Sequence, residues 1–181
     1  MKILVTYLSK TGNTKKIADA IYGEIKEKKE IKRYDKVQSL EGYDLTFVGF
    51  PIHGYGPDGK AKKFLENQCK GKKIILFITH ASSENHEALP GYLAKFREAS
   101  EGTDLVGMFN CQGELAKGVK FIMKMMVGNP LRKFALEDNS KGQPDAERVN
   151  RAKVFTRDIM RVLYNWQKIG ENSVTYSTGS N

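Results

Sequence analysis

The residues with the clearest chemical potential form the segment Ser9-Lys10-Thr11-Gly12-Asn13-Thr14, directly after the apolar run Ile3–Leu8. It supplies hydroxyls, an amide and a glycine between a predicted buried strand and a predicted helix. Backbone N–H groups and the positive end of the helix dipole would converge there, which suits a phosphate group. Gly12 would let the backbone approach such a ligand closely. The alternative is an ordinary strand-to-helix turn capped by Thr11 or Asn13, without a ligand.

This segment lacks the two commonest glycine patterns of nucleotide-binding proteins. It has no G-x-x-x-x-G-K-[ST], which argues against a P-loop nucleotidase. It has no G-x-G-x-x-G either, which argues against a dinucleotide-binding Rossmann site. The predicted phosphate site is therefore of neither kind.

The elements that would position this segment alternate between apolar runs and helical patterns, as in a parallel sheet covered on both faces. Strands are predicted at Ile3–Leu8, Ile31–Tyr34, Leu45–Phe50, Ile74–Ile78 and Leu105–Phe109, the second polar enough for an edge. Helical spacing appears in three sets: Ile17, Ala18, Ile21, Ile25; Ala61, Phe64, Leu65; and Leu89, Tyr92, Leu93, Phe96. A last helix is predicted to begin near Pro144, with one stripe of Ala152, Phe155, Ile159, Val162, Leu163 and Trp166.

Length and cysteine content limit the class of protein. The 181 residues suit one α/β domain, predicted over 1–170, followed by a polar tail over 171–181. No apolar stretch approaches the ~18 residues of a membrane span, and the first strand begins too early to leave room for a signal peptide. Cys69 and Cys111 form no ligand cluster, and His86 near Glu84 and Glu87 is better read as solvent-exposed, so no metal is predicted. Two reduced thiols suit the cytoplasm.

The charge of the chain points to an anionic partner. Thirty basic and 21 acidic side chains give a formal net charge of +9. Such an excess favours contact with an acidic protein, a polyanionic substrate, a membrane surface or nucleic acid. The basic clusters lack the interleaved aromatic residues that stack on bases, so a nucleic-acid partner is not predicted.

Three segments together resemble the flavodoxin family. Thr11–Thr14 with its flanking strand and helix resembles the family's FMN phosphate loop. Tyr43-Asp44, the strand Leu45–Phe50 and then Pro51–Gly56 resemble the entry into the first flavin-ring loop. The strand ending at Ile78 and the following Thr79–Ser83 occupy the position of the second ring loop.

This resemblance implies a fold, a cofactor and a set of binding residues. The fold is a doubly wound, five-stranded parallel sheet of order 2-1-3-4-5 in a three-layer α/β/α arrangement. The cofactor is FMN, with Tyr55 stacking on the ring and His53 or His80 at a ring edge. The implied cofactor-binding residues are Ser9, Lys10, Thr11, Gly12, Asn13, Thr14, Pro51, Ile52, His53, Gly54, Tyr55, Gly56, Thr79, His80, Ala81 and Ser82.

The chain also departs from the family pattern. Flavodoxins that act as carriers are usually acidic, whereas this chain is basic, which implies a dedicated partner with an acidic docking face. The segment 113–143 is longer than a minimal flavodoxin needs, and Leu115, Val119, Ile122 and Met126 recur in it at helical spacing beside three lysines. It is read as a surface helix packed on the sheet, with two alternatives: a partner- or substrate-binding lid, or a helix lying on a membrane surface.

Three functions follow from these patterns. The favoured one is an FMN-binding carrier that shuttles electrons between a reductase and an acceptor enzyme. The second is an FMN-dependent oxidoreductase that acts directly on a quinone, porphyrin or tetrapyrrole, since the basic insert also resembles that of the flavodoxin-like protoporphyrinogen oxidases. The third is a binding module without flavin, which the intact phosphate loop disfavours. No catalytic residue is predicted.

Overall fold

The computed structural model describes residues 1–177. Within them the chain alternates between strands and helices along most of its length. The elements are β1 Lys2–Tyr7, α1 Asn13–Glu24, β2 Lys28–Arg33, β3 Leu45–Pro51, α2 Gly59–Gln68, β4 Lys73–His80, α3 Leu89–Ala99, β5 Asp104–Gln112, α4 Lys117–Met125, α5 Pro130–Leu136 and α6 Ala146–Ser177. A short 3-10 turn at Tyr34–Lys36 follows β2.

The five strands form one parallel sheet in the order β2-β1-β3-β4-β5, which confirms the predicted fold class. β2 lies at an edge, as its polar sequence predicted. The strand order reverses beside β1, because β2 pairs on one side of it and β3 on the other. Ligands of doubly wound sheets bind at the carboxyl ends of the strands near such a point.

The apolar runs are buried because helices cover both faces of the sheet. On one face α1 and α6 enclose a core that includes Ile17, Ile21 and Phe47. On the other face α2 and α3 enclose a second core that includes Phe64 and Phe96. A central strand contributes alternate side chains to each core, which explains why its sequence is apolar without interruption.

Strands β4 and β5 both extend further along the chain than predicted. β4 continues to His80 and β5 to Gln112, because backbone pairing persists there: Thr79 is opposite Cys111 and His80 is opposite Gln112. Thr79 and His80, predicted in a loop, therefore belong to a strand. This gives both side chains a fixed direction at the carboxyl edge.

The last helix begins close to its predicted start and runs further than predicted. It begins at Ala146, two residues after Pro144. The Asp145 carboxylate accepts a hydrogen bond from the backbone amide of Arg148 at 3.0 Å and so caps the first turn. Of the predicted stripe, Val162 and Trp166 are exposed while Leu163 is buried. The helix runs past the predicted boundary at Gly170 to Ser177. The division into a domain over 1–170 and a tail over 171–181 stays a prediction, and residues 178–181 lie outside the described part.

The insert between β5 and α6 folds as two short helices, α4 and α5, that pack against each other. The prediction of a surface helix packed on the sheet is wrong for α4, since this helix has no buried residue and its Met125 is 67% exposed. In the described residues, no helix combines the length and the apolar character that a bilayer span requires.

Candidate functional site

A cavity of about 510 Å³ lies at the carboxyl edge of the sheet. Its volume is typical of a site for a small molecule or cofactor. Thirteen of the predicted site residues line it: Lys10, Thr11, Asn13, Thr14, Pro51, Ile52, His53, Gly54, Tyr55, Thr79, His80, Ala81 and Ser82. The other three, Ser9, Gly12 and Gly56, support the loops without lining the cavity. Segments far apart in the sequence thus meet around one space.

The loop after β1 presents an open helix N-terminus. Gly12 holds the position before α1 with φ 95°, in the left-handed region, and its amide donates to Ser9 Oγ at 3.1 Å. No side chain caps the helix, so the alternative of a turn capped by Thr11 or Asn13 is wrong. The Asn13 amide group instead donates to the Glu114 carbonyl at 2.8 Å. With no acidic residue in the first turn of α1, this end suits an anion.

A buried pair of hydroxyls joins two of the predicted loops. Thr14 Oγ1 lies 2.8 Å from Thr79 Oγ1, and both residues are almost fully buried while lining the cavity. One hydroxyl donates to the other, so the accepting hydroxyl keeps its own proton for a further acceptor. The pair thereby fixes the start of α1 against the end of β4.

The loop after β3 makes a tight turn that presents a tyrosine. The His53 amide donates to the Gly56 carbonyl at 2.9 Å, with Gly54 at φ 56° and Tyr55 at φ 74° between them. These angles are close to those of a type I′ turn, which requires left-handed backbone at both central positions. That conformation is rare for tyrosine, and such outliers concentrate at functional sites. The Tyr55 side chain is half-exposed, and its ring centroid lies 5.3 Å from that of Tyr92.

Two histidines around the cavity have different surroundings. His53 Nδ1 is buried without a hydrogen-bond partner, which is unusual for a buried polar atom. His80 is 4% exposed, with Nδ1 2.9 Å from the Ser82 carbonyl and Nε2 3.2 Å from Asn110 Oδ1. Since a carbonyl only accepts, Nδ1 donates to Ser82. His80 therefore supports its loop, and His53 has the ring atom free for a ligand.

We expect His80 to make stability depend on pH between about 7.5 and 5.5. Burial lowers the pKa of His80 from its ordinary 6.5. The unfolded chain therefore binds a proton before the folded chain does, and the free energy of unfolding falls as the pH drops through 6.5. Urea unfolding across this range should show this fall, with a slope of at most about 1.4 kcal/mol per pH unit. His80→Gln should reduce this dependence on pH. His86→Gln, which replaces an exposed histidine, should leave it unchanged. An equal slope in His80→Gln would contradict the assignment.

An ion-pair cluster fixes the second ring loop to α6. Glu84 accepts from Arg148 Nε at 3.0 Å, from Arg151 Nη1 at 2.7 Å and from the Gln112 amide at 3.2 Å. Burial raises the pKa of Glu84, but the bonds from Arg151 and Gln112 outweigh it and leave that pKa below its usual value. This carboxylate is therefore occupied, and among the described residues no group of three or more His, Cys, Asp or Glu side chains could hold a metal.

The insert also lines the cavity, a place that only the alternative of a partner- or substrate-binding lid had given it. Its apolar wall consists of Leu115, Ala116, Val119, Met123, Pro130, Leu131 and Phe134. His86, Tyr92 and Glu114 also line the cavity and were not predicted. The helical spacing of the insert was visible in the sequence, but spacing does not tell which part of the protein a helix faces. Cys111, in contrast, is packed in the core, and burial raises its pKa to about 12.

The insert is fastened to the phosphate loop at both ends. Its start receives the Asn13 side-chain bond at Glu114, and its end receives a bond from Lys16 Nζ to the Pro144 carbonyl at 2.6 Å. Lys120 of α4 pairs with Asp138 after α5, whose side chain is 3% exposed. The two helices are thus held next to the open end of α1.

Comparisons with known proteins agree with this arrangement. A family model described as the flavodoxin domain matches residues 4–156. The flavodoxin-like domain-containing protein BilS of Clostridioides difficile strain CD3 is 34% identical over 171 residues, covering 88% of this chain and 97% of that protein. Oxidised flavodoxin 2 of Bacillus cereus is 22% identical with a TM-score of 0.58, over 89% of this chain and 99% of that one. A flavodoxin from the domain Archaea is 20% identical with a TM-score of 0.56, over 91% of this chain and 99% of that one. The chain belongs to the flavodoxin family, whose cofactor is FMN.

Proposed function

We propose that this chain holds FMN in the 510 Å³ cavity and carries electrons between a reductase and an acceptor enzyme. The observation that carries the proposal is the uncapped N-terminus of α1, which opens into the cavity beside the point where the strand order reverses. A phosphate would meet amides of this turn and the hydroxyls of Thr11 and Thr14, which line the cavity, while Ser9 holds the turn through the Gly12 amide. The flavin ring would lie between the loop at residues 51–56 and the loop at residues 79–83.

The chain's own residues would position the cofactor and limit the access of water. FMN supplies the redox chemistry when it is bound, and the protein sets its orientation and surroundings. Tyr55 would stack on one side of the ring. His53 Nδ1, buried and unpartnered, would find a hydrogen-bond partner at a ring edge. The insert would exclude water from the part of the cavity that Val119, Met123 and Phe134 line.

The proposed partner is a redox protein with an acidic docking face. The net charge of +9 favours such a face, and association should weaken as salt screens the charges. Both cysteines are free and buried, which suits a reducing compartment, so we place the protein in the cytoplasm.

We expect Gly113→Ala to weaken FMN binding by displacing Asn13. A Cβ at position 113 would lie 2.7 Å from Asn13 Nδ2 and 2.9 Å from its Cβ, so the loop must shift. The dissociation constant from quenching of flavin fluorescence should rise on the order of tenfold, or about 1.4 kcal/mol. Gly118→Ala is the matched control, because a Cβ there meets nothing within 4 Å. Equal affinities in the two variants would show that the contact between Gly113 and Asn13 is irrelevant to the cofactor.

Stepwise anaerobic reduction of the FMN-loaded chain tests the carrier function. A carrier should take up two electrons in two separate one-electron steps, and it should show negligible turnover of NADH with a small quinone when no partner is present. Uptake of both electrons in a single step, together with rapid turnover by the chain alone, would contradict the carrier function.

One observation favours a second candidate, an FMN-dependent oxidoreductase that acts on a flat apolar molecule such as a quinone, porphyrin or tetrapyrrole. The apolar wall of α4 and α5 lines the same cavity as the ring loops and could hold such a molecule against the flavin. If this function is correct, Phe134→Ala should raise the KM for the small quinone with little change in FMN affinity. A carrier would show no such turnover to change.

A further inference from the structure

The outer face of the insert carries a cluster of exposed apolar side chains that the cavity does not use. Phe121, Ile122 and Met125 of α4 are 66%, 62% and 67% exposed, and Val127 in the following turn is 84% exposed. We call these four residues the insert tip. None of them lines the cavity, whereas Val119 and Met123 of the same helix do. Large apolar side chains clustered this openly mark a surface that contacts something else.

The stretch of chain that carries the insert tip has charges of one sign only. Residues 115–136 contain Lys117, Lys120, Lys124, Arg132 and Lys133 but no aspartate or glutamate. Lys120 pairs with Asp138 and Lys133 lies 3.9 Å from Glu137, both outside this stretch. Lys117 and Lys124 form no ion pair within the described residues. These two lysines favour an anionic surface opposite the insert tip.

We propose that the insert tip docks onto an anionic lipid bilayer, with its apolar side chains entering the headgroup region and Lys117 and Lys124 meeting lipid phosphates. Apolar residues beside a row of lysines are the arrangement of helices that lie in a membrane surface. A bilayer is uniformly anionic and needs no shape complementarity. This matches a stretch of 22 residues that contains four lysines and no acidic side chain better than a protein–protein interface does, because lysine is depleted at such interfaces relative to the rest of the surface.

The proposal connects the bilayer to the cavity through one helix. α4 places Val119 and Met123 on the cavity and the insert tip on its outer side. A bilayer that contacts the insert tip would therefore lie next to the wall of the cavity. The docking itself does not depend on whether FMN is bound, so it can be tested separately from the proposed function.

Flotation with vesicles tests the docking. The full-length chain, with and without FMN, is mixed with vesicles of 70% phosphatidylcholine and 30% phosphatidylglycerol, or of phosphatidylcholine alone. We expect binding to the anionic vesicles and at least tenfold weaker binding to the neutral ones. Both the double variant Phe121→Ser/Met125→Ser and the double variant Lys117→Gln/Lys124→Gln should bind the anionic vesicles at least tenfold more weakly than the unaltered chain.

Matched controls test whether the loss of binding is specific to the insert tip or follows from removing any positive charge or any exposed apolar side chain. Lys60→Gln/Lys63→Gln removes two charges elsewhere, and Trp166→Ser removes an apolar side chain of α6 that is 66% exposed. Neither should change binding. Absence of binding to anionic vesicles would overturn the proposal and leave an acidic protein as the partner of the insert tip. Equal losses in the insert-tip variants and the controls would also overturn it. Flavin absorbance and thermal melting of each variant report FMN binding and folding independently.

Discussion

Thr11→Glu is expected to weaken FMN binding by roughly a hundredfold or more while the fold stays intact. Thr11 is exposed, lines the cavity and precedes the open end of α1. A carboxylate there would face the phosphate. At about 5 Å and an effective dielectric constant of about 20, two such charges repel by roughly 3 kcal/mol. That energy corresponds to about a hundredfold in the dissociation constant, which fluorescence titration measures directly.

Two further variants make this result specific. Thr11→Ser keeps a hydroxyl and should bind FMN within a few-fold of the unaltered chain. Asn67→Glu adds the same charge near the end of α2, at the opposite edge of the sheet, and should leave the affinity unchanged. If Thr11→Glu and Asn67→Glu bind FMN equally well, the phosphate does not lie at the start of α1.

Gly49→Ala should destabilise the fold by about 3 kcal/mol, the upper end of what overpacking usually costs. Gly49 is opposite Phe77 on the neighbouring strand, and the Phe77 ring covers it. A Cβ at position 49 would lie 2.1 Å from Phe77 Cε2 and Cζ, a distance that real atoms do not occupy. The ring is fully buried and has no room to withdraw. Urea unfolding followed by circular dichroism measures the loss.

Two further variants, Gly107→Ala and Gly49→Ala/Phe77→Leu, test whether overlap with the Phe77 ring causes this destabilisation. At position 107 the nearest atom to a Cβ would be the end of the Ile159 side chain at 3.3 Å, which can yield, and Phe155 Cζ at 3.6 Å is an ordinary contact, so the cost should stay below ~1 kcal/mol. In the double variant Gly49→Ala/Phe77→Leu, the smaller side chain should relieve the overlap, and the two effects should be far from additive. Additive losses would mean that the ring overlap is not the reason.

Much of the fold could be read from the sequence because its strands are buried on both faces. The runs Leu45–Phe50 and Ile74–Ile78 are apolar at nearly every position, so these strands fit only the interior of the sheet. The second strand is polar and fits only an edge. The candidate site followed from topology, since a loop at the carboxyl end of a central parallel strand has a predictable place. The ends of β4 and β5 were missed because their last residues are polar, so only backbone pairing extends them to His80 and Gln112.

The details of the site depend on contacts across long sequence distances, which periodicity does not reveal. Asn13 was a possible helix cap only in the alternative without a ligand, and its side chain instead bonds to the Glu114 carbonyl, 101 residues away. His80 was predicted at a ring edge and does line the cavity, but only the structure shows that Ser82 and Asn110 hold its two ring nitrogens, and its contact with a flavin stays a prediction. The apolar spacing of the insert indicated a helix packed on a core. The structure instead divides that apolar surface between the cavity wall and the insert tip.

The most direct test of the central claim is a fluorescence titration of the purified chain with FMN and, in parallel, with riboflavin, which lacks the phosphate. If the start of α1 binds the phosphate and the ring loops bind the flavin, FMN should bind with a dissociation constant of about 1 µM or lower, and riboflavin at least a hundredfold more weakly. Equal affinity for the two flavins would contradict the phosphate site. No binding of FMN at ~10 µM would contradict the proposed function as a whole.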